Sequence, residues 1–500
     1  KALQLADIVA KTLNPSGGQI DRDSSGQPTG IVRETAVDLV YAKVPPPTHE
    51  ERRHALALAI QDAAAHGITS LQDYSTWDDF LAFEEMEREN KLPVRVSEWL
   101  TFLDPLAVLE QQRAHHSADD PMLHTGMLKG FMDGSLGSRT AALNAPYSDD
   151  PGNIGIPQFD QATLNRMTIE RAQAGFQIGF HAIGDRGVKM ALDAFVAAEA
   201  ALPNSMTYRC RIEHDQVVDP KDFARYKWLG VIASMQPNHL LTDMYWAEDR
   251  IGAQRAKYSY PWKTFWNQGT VLAFGTDYPV EPVTPFRGIY AAVTRKSEDG
   301  TRIYHPEQAL TINQALYAYT QASAFAEHME TKKGKLLPGQ FADFVVLDRD
   351  LLKATPADIL KTQVLRTVVA GRTVFEADTP ASPKPTGTSQ PCALLNEGTY
   401  DVEKSSKSQP KRAKLVASTT GEIRCLLPAN LIAGNAYWRN RWREQTVEQN
   451  SPPECRRLHR SVSGSVDGIP RQYSEDADPS HCGRTKHPVS PSGRSEVSER

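Results

Sequence analysis

Short apolar runs alternate with helix-like stretches along the front of the chain. Thr48 and Glu51 form a capping box before His54-Ala-Leu-Ala-Leu-Ala-Ile60, predicting a helix that ends near Gly67. Ile68–Leu71 reads as a short buried strand ending at Gln72-Asp73, and a helix follows through Phe80–Glu89. The apolar runs Val94–Leu100, Met127–Phe131, Phe176–Phe180, Arg209–Ile212, Val231–Met235 and Val271–Phe274 repeat the pattern. Helical stretches such as Gln161–Ala174 and Val188–Ala201 precede them. Short apolar strands separated by helices predict parallel strands covered by helices. Seven such strands fall between residues 68 and 275, and an open doubly wound sheet or a closed eight-stranded barrel fits them.

The polar residues at the strand ends favour the barrel. Lys129 and Asp133, His181, Glu213 and His214, Gln236 and His239, and Asp277 sit in or just after C-terminal strand ends. In a (β/α)8 barrel those ends converge on one face, whereas an open sheet spreads them along an edge. Beyond residue 309 the pattern changes. Leu310–Ala324 reads as a helix, Phe344–Leu347 as a strand, and Val364–Val369 with Thr373–Phe375 as a hairpin turning at Gly371-Arg372. The expected organisation is a barrel over 1–309, a helix with part of a small β-sandwich over 310–377, and a tail over 378–500.

Composition sharpens the last boundary. The 500 residues are 40% hydrophobic and 23% charged, with 56 Lys+Arg against 61 Asp+Glu and a net charge of -5. That balance argues against nucleic acid as an obligate partner of the whole chain. No apolar run reaches ~18 residues, so no membrane-spanning helix is expected. Five cysteines are too few for a disulfide framework. Residues 378–500 hold 18 Lys+Arg and 14 Asp+Glu, four of the five cysteines and no Phe. Their Ser, Pro and Arg content predicts disorder or spurious sequence, because little apolar surface is available to offset chain entropy. The cysteine spacings there do not suit zinc.

Six motifs occur in order: Phe131-Met-Asp-Gly-Ser-Leu-Gly-Ser-Arg-Thr140, His181-Ala-Ile-Gly-Asp-Arg186, Arg211-Ile-Glu-His214, Ser234-Met-Gln-Pro-Asn-His239, Gly275-Thr-Asp-Tyr-Pro-Val280 and Pro338-Gly-Gln-Phe-Ala-Asp343. Over about residues 1–376 the chain resembles the amidohydrolase superfamily. More narrowly it resembles amidohydrolase family 3, the branch that contains N-substituted formamide deformylase. The resemblance implies a metal-dependent (β/α)8 barrel with a β-sandwich. It also implies hydrolysis of non-peptide C–N bonds, mostly amides, by a metal-activated water. The family's usual first motif, His-x-His, occurs nowhere in this chain. Lys1-Ala-Leu-Gln-Leu-Ala resembles the family downstream of that motif. The expectation is therefore a fragment without barrel strand one and the N-terminal half of the sandwich, and with weakened metal binding.

The resemblance gives the strand-end residues roles. His181 and His214 are expected as zinc ligands, since neutral imidazole suits zinc and neighbouring strands can share an ion. Glu213 competes with His214 for the inward face, because adjacent strand residues point oppositely; the family favours His214. Asp277 is expected to bind metal and to act as general base, then acid. Its alternative is a turn aspartate before Pro279. Lys129 is expected among the metal ligands, carboxylated as in some members, or else paired with a barrel carboxylate. His239, too far along for a direct ligand, is assigned to substrate or its carbonyl. Asp133-Gly134 and Gly137 are expected to shape a loop, Arg139 to hold a substrate carboxylate or an ion pair, and Asp185-Arg186 to support the site. His115, His116 and His124 read as surface residues. One or two divalent metals, zinc first, and a small amide substrate are implied, and a homo-oligomer stays open. A catalytically inactive barrel remnant and a deaminase of the same superfamily are the rival readings.

Overall fold

The computed structural model describes residues 1–203 and 208–378. The expectation for the tail therefore lies outside the described residues. After a short helix, Ala2–Leu5, comes an antiparallel hairpin, β1 (Gly18–Arg22) and β2 (Pro28–Glu34). The seven expected parallel strands follow: β3 (Ser70–Asp73), β4 (Arg95–Thr101), β5 (Leu123–Phe131), β6 (Ile178–Ala182), β7 (Arg211–His214), β8 (Ile232–Met235) and β9 (Leu272–Phe274). Their order in the sheet is their order in the chain. The sheet curls into a half-barrel with helices between its strands.

The outer layer is amphipathic in the expected way. The helix Asp185–Ala201 buries Val188, Leu192 and Phe195, spaced to share one face. Phe195 stacks on Phe180 of β6 at 5.2 Å between ring centroids. The capping box predicted at Thr48 and Glu51 starts the helix His49–Ala65. No helix of the described residues is long and apolar enough to cross a membrane.

The C-terminal part forms an antiparallel sheet of β10 (Phe344–Leu347), β11 (Val364–Val369) and β12 (Arg372–Glu376), as the hairpin reading expected. Val374 and Phe375 pack on a cluster that includes Ile60, Phe83 and Val96. Across the same seam Arg95, at the start of β4, makes a bidentate ion pair with Asp343, at 2.6 and 2.9 Å.

The β1–β2 hairpin went unread in the sequence. Its turn, where the Asp23 carboxylate accepts from the amides of Ser25 and Gln27, is polar and local, and the apolar alternation around Ile20 and Val32 is short. The hairpin reaches the loop after β5: Arg33 donates to the Ser138 carbonyl at 2.6 Å, and Thr140 donates to Glu34 at 2.5 Å.

One motif glycine is fixed by space. A Cβ on Gly184 would sit 2.0 Å from the carbonyl oxygen of Ala142 and 2.6 Å from its carbon. Backbone must shift to admit it, so Gly184→Ala is expected to destabilise by at least ~1–3 kcal/mol, read as a lower urea midpoint at unchanged m-value.

Candidate metal centre

The strand register brings the polar ends to one level. Phe131 is opposite His181, His181 opposite Glu213, and Ala182 opposite His214. The regular alternation of side chains then stops. His214, the last residue of β7, has a φ of 80° and Asp215 one of 47°. This left-handed corner turns the His214 ring into the same space that Glu213 already faces. Glu213 is held by Arg211, which also donates to Ser234. The sequence argument that only one of the two can face inward therefore fails, because it assumes a strand continuing past Glu213.

Asp277, after β9, also adopts a left-handed conformation, with φ of 58°. Its Oδ2 lies 3.1 Å from Nε2 of His239. His239 stands on the short helix Asn238–Asp243 directly after β8, which carries its ring back over the sheet end. It was expected to lie beyond direct ligand reach. Instead, one donor atom each from His214, His239 and Asp277 lies within 4.8 Å of the others. The chain leaves the strand direction at Pro237, which brings His239 nearer than a count along the strand suggests.

His181 stands next to this group, its ring 4.6 Å from that of His214. Its Nε2 is engaged 3.1 Å from the Gly134 carbonyl and 3.4 Å from Asp133. As arranged it neighbours the three donors without joining them. Lys129 is buried in β5, with its ammonium 5.1 Å over the Phe131 ring and 5.7 Å over Trp99. It makes no ion pair with a carboxylate among the described residues, so the pairing alternative is not realised.

The supporting residues divide cleanly. The Asp133 carboxylate accepts from the amides of Ala142, Ile183 and Gly184 at 2.8, 3.0 and 2.8 Å. It ties the loop after β5 to the turn after β6, the loop-shaping role expected for it. Asp185 likewise accepts from the Asn144 amide at 2.8 Å. Arg139 forms a bidentate pair with Asp149, at 3.1 and 2.8 Å, which is the structural alternative for that residue. Gln236 was named without a role; it lies 2.8 Å from Nδ1 of His214 and leaves that ring's Nε2 for the centre.

Electrostatics prepare the group for a cation. Burial, reinforced by His181 and Lys129 nearby, drives the His214 imidazole well below its ordinary value, so it is neutral and can donate a lone pair. Burial pushes the Asp277 carboxyl up, but the His239 hydrogen bond and the nearby positive charge outweigh it and hold it at about 2. Burial likewise lowers His239, and Asp277 more than reverses this. Burial lowers the Lys129 amine, while Glu213 and Asp277 pull it back in part. A cation between His239 and Asp277 would take the place of the proton they now share. Two imidazoles and a carboxylate are also a donor set and number that suit an open divalent site. The residues fit a metal.

A family model described as "Amidohydrolase family" matches residues 1–375. The chain belongs to the amidohydrolase family. Amidohydrolase YtcJ of Bacillus subtilis (strain 168) is 33% identical over 383 residues, 75% of this chain and 71% of that protein. The N-substituted formamide deformylase of Arthrobacter pascens is 24% identical over 392 residues, 75% of this chain and 70% of that protein. Among solved structures, an uncharacterized metal-dependent hydrolase from Pyrococcus horikoshii OT3 is 31% identical with a TM-score of 0.58. The match covers 71% of this amidohydrolase-family chain and 70% of that one.

Proposed function

We propose that the chain is a zinc-type metal hydrolase that cleaves non-peptide carbon–nitrogen bonds in small amides, N-substituted formamides among them. The convergence of His214, His239 and Asp277 at the C-terminal ends of parallel strands carries this reading. The donor chemistry and the formamide-cleaving relative support it. His214, His239 and Asp277 would hold the metal. When bound, it supplies a Lewis acid that polarises a carbonyl and acidifies water. Asp277, ionised and with a side chain 37% exposed, is open to solvent and can take a proton from water and deliver it to the departing amine nitrogen. Gln236 fixes the His214 ring. Phe131 and Tyr74, partly exposed with rings 5.7 Å apart, form an aromatic flank, and Phe131 lies 5.4 Å from His181. Such a flank suits an apolar substituent on the amide nitrogen.

Amine release from a panel of N-formyl and N-acyl amines, before and after chelation, tests the reading. Chelation is expected to abolish turnover, and zinc to restore it. Ammonia release from aminated heterocycles with no amide turnover would favour a deaminase. Turnover that survives complete metal removal would sink the metal assignment.

A further inference from the structure

A second group of donors lies at the opposite end of the sheet. Glu84 and Glu87 sit near the end of the helix Trp77–Arg88, His115 ends the helix Leu106–His115, and His116 follows it. Asp120 lies in the turn leading to the start of β5 at Leu123. These are N-terminal strand ends, away from Asp277 and its partners. His116 and His124, expected at the surface, are in fact largely buried. Burial lowers the His124 imidazole.

The geometry around His116 is directed. Nδ1 is 3.0 Å from the Glu84 carboxylate, which fixes the ring. Nε2 then points at two more carboxylate oxygens, 3.7 Å from Glu87 and 3.5 Å from Asp120. It is shielded from solvent and has no hydrogen-bond partner. Asp120 is anchored through its other oxygen by the amides of Met122 and Leu123 at 2.7 and 3.2 Å. The donor atoms of Glu87, His116 and Asp120 all lie within 4.8 Å of one another.

We propose that Glu87, His116 and Asp120 form a second, structural site for a zinc-like divalent cation at the N-terminal face of the half-barrel. An imidazole whose far nitrogen is held by a carboxylate is the arrangement that surrounds metal-ligating histidines. One imidazole with two carboxylate oxygens selects a zinc-like ion over magnesium or calcium, which take oxygen alone. Bound there, the ion staples the helix Trp77–Arg88 to the turn entering β5. Chemistry is not expected at it, since residues at this face of such barrels serve stability.

The test is zinc stoichiometry on the full chain, stripped of metal and titrated against a competing chromogenic chelator. Glu87→Gln and His116→Gln are each expected to bind one equivalent fewer than the parent, or to bind it at least ~10-fold more weakly. Both variants should also lose part of the zinc-dependent rise in Tm. His214→Ala should lose a different equivalent and retain this one. The charge-neutral Glu87→Gln decides the matter if His116→Gln fails to fold. Unchanged stoichiometry and affinity in Glu87→Gln would overturn the proposal.

Discussion

Asp277→Asn is expected to lower turnover of the best amide substrate by about 10²–10⁴-fold, the range typical of a lost proton-transfer group. The amide keeps an oxygen that can face His214 and His239, so much of the metal should remain on elemental analysis. What disappears is a group that holds and releases a proton. In this chain its neighbours keep that group ionised: the His239 hydrogen bond and the charges around it hold the carboxyl at about 2 against the opposing effect of burial. His214→Ala should behave differently, losing metal and turnover together, because its neutral imidazole has no other task in the site. If Asp277→Asn retains its rate with metal in place, proton transfer is carried elsewhere and the mechanism is wrong, whatever the substrate.

The largest stability effect is expected at Arg95. Its guanidinium is 2% exposed, pairs with Asp343, donates to the Pro121 carbonyl at 2.6 Å, and lies 3.9 Å from the centre of the Phe341 ring. Arg95→Ala leaves the Asp343 carboxylate buried with the Ala370 amide as its remaining hydrogen-bond donor among the described residues. Removing one partner of such a pair costs about 3–5 kcal/mol. Urea unfolding should show it as a fall in midpoint. The double variant Arg95→Ala with Asp343→Ala should be no worse than the single one, because the stranded charge is gone. A double variant clearly less stable than Arg95→Ala would show that Asp343 supports the seam by itself, through the Ala370 amide, and that no stranded charge was costing stability.

Most of the parallel strands were legible in the sequence because they bury short apolar runs between helices, and burial on both faces leaves a strong signal. Val94–Leu100 and Phe176–Phe180 fall within a few residues of β4 and β6. The C-terminal hairpin was legible through Gly371-Arg372. The site was legible as a set of residues and less so as a geometry. The position of His239 was not legible, because a short helix folds it back toward Asp277. The His214–Glu213 competition dissolved because one left-handed residue breaks the alternation. His116 and His124 looked exposed because polar neighbours in the sequence, the carboxylates around them above all, hide their burial.

The sheet's order has a consequence for synthesis. Because β3 to β9 lie side by side in the order they are made, each new strand can add to a neighbour already present as the chain leaves the ribosome. The C-terminal sheet cannot join this progression. Thr367 donates to the Ala64 carbonyl across 303 residues, and Asp343 closes on Arg95 across 248. Until those contacts form, the apolar flank that Val374 and Phe375 cover beside the helix His49–Ala65 waits open, so a ribosome stalled between residues 275 and 340 would present a nascent half-barrel with one sticky shoulder, the natural place for a chaperone to hold.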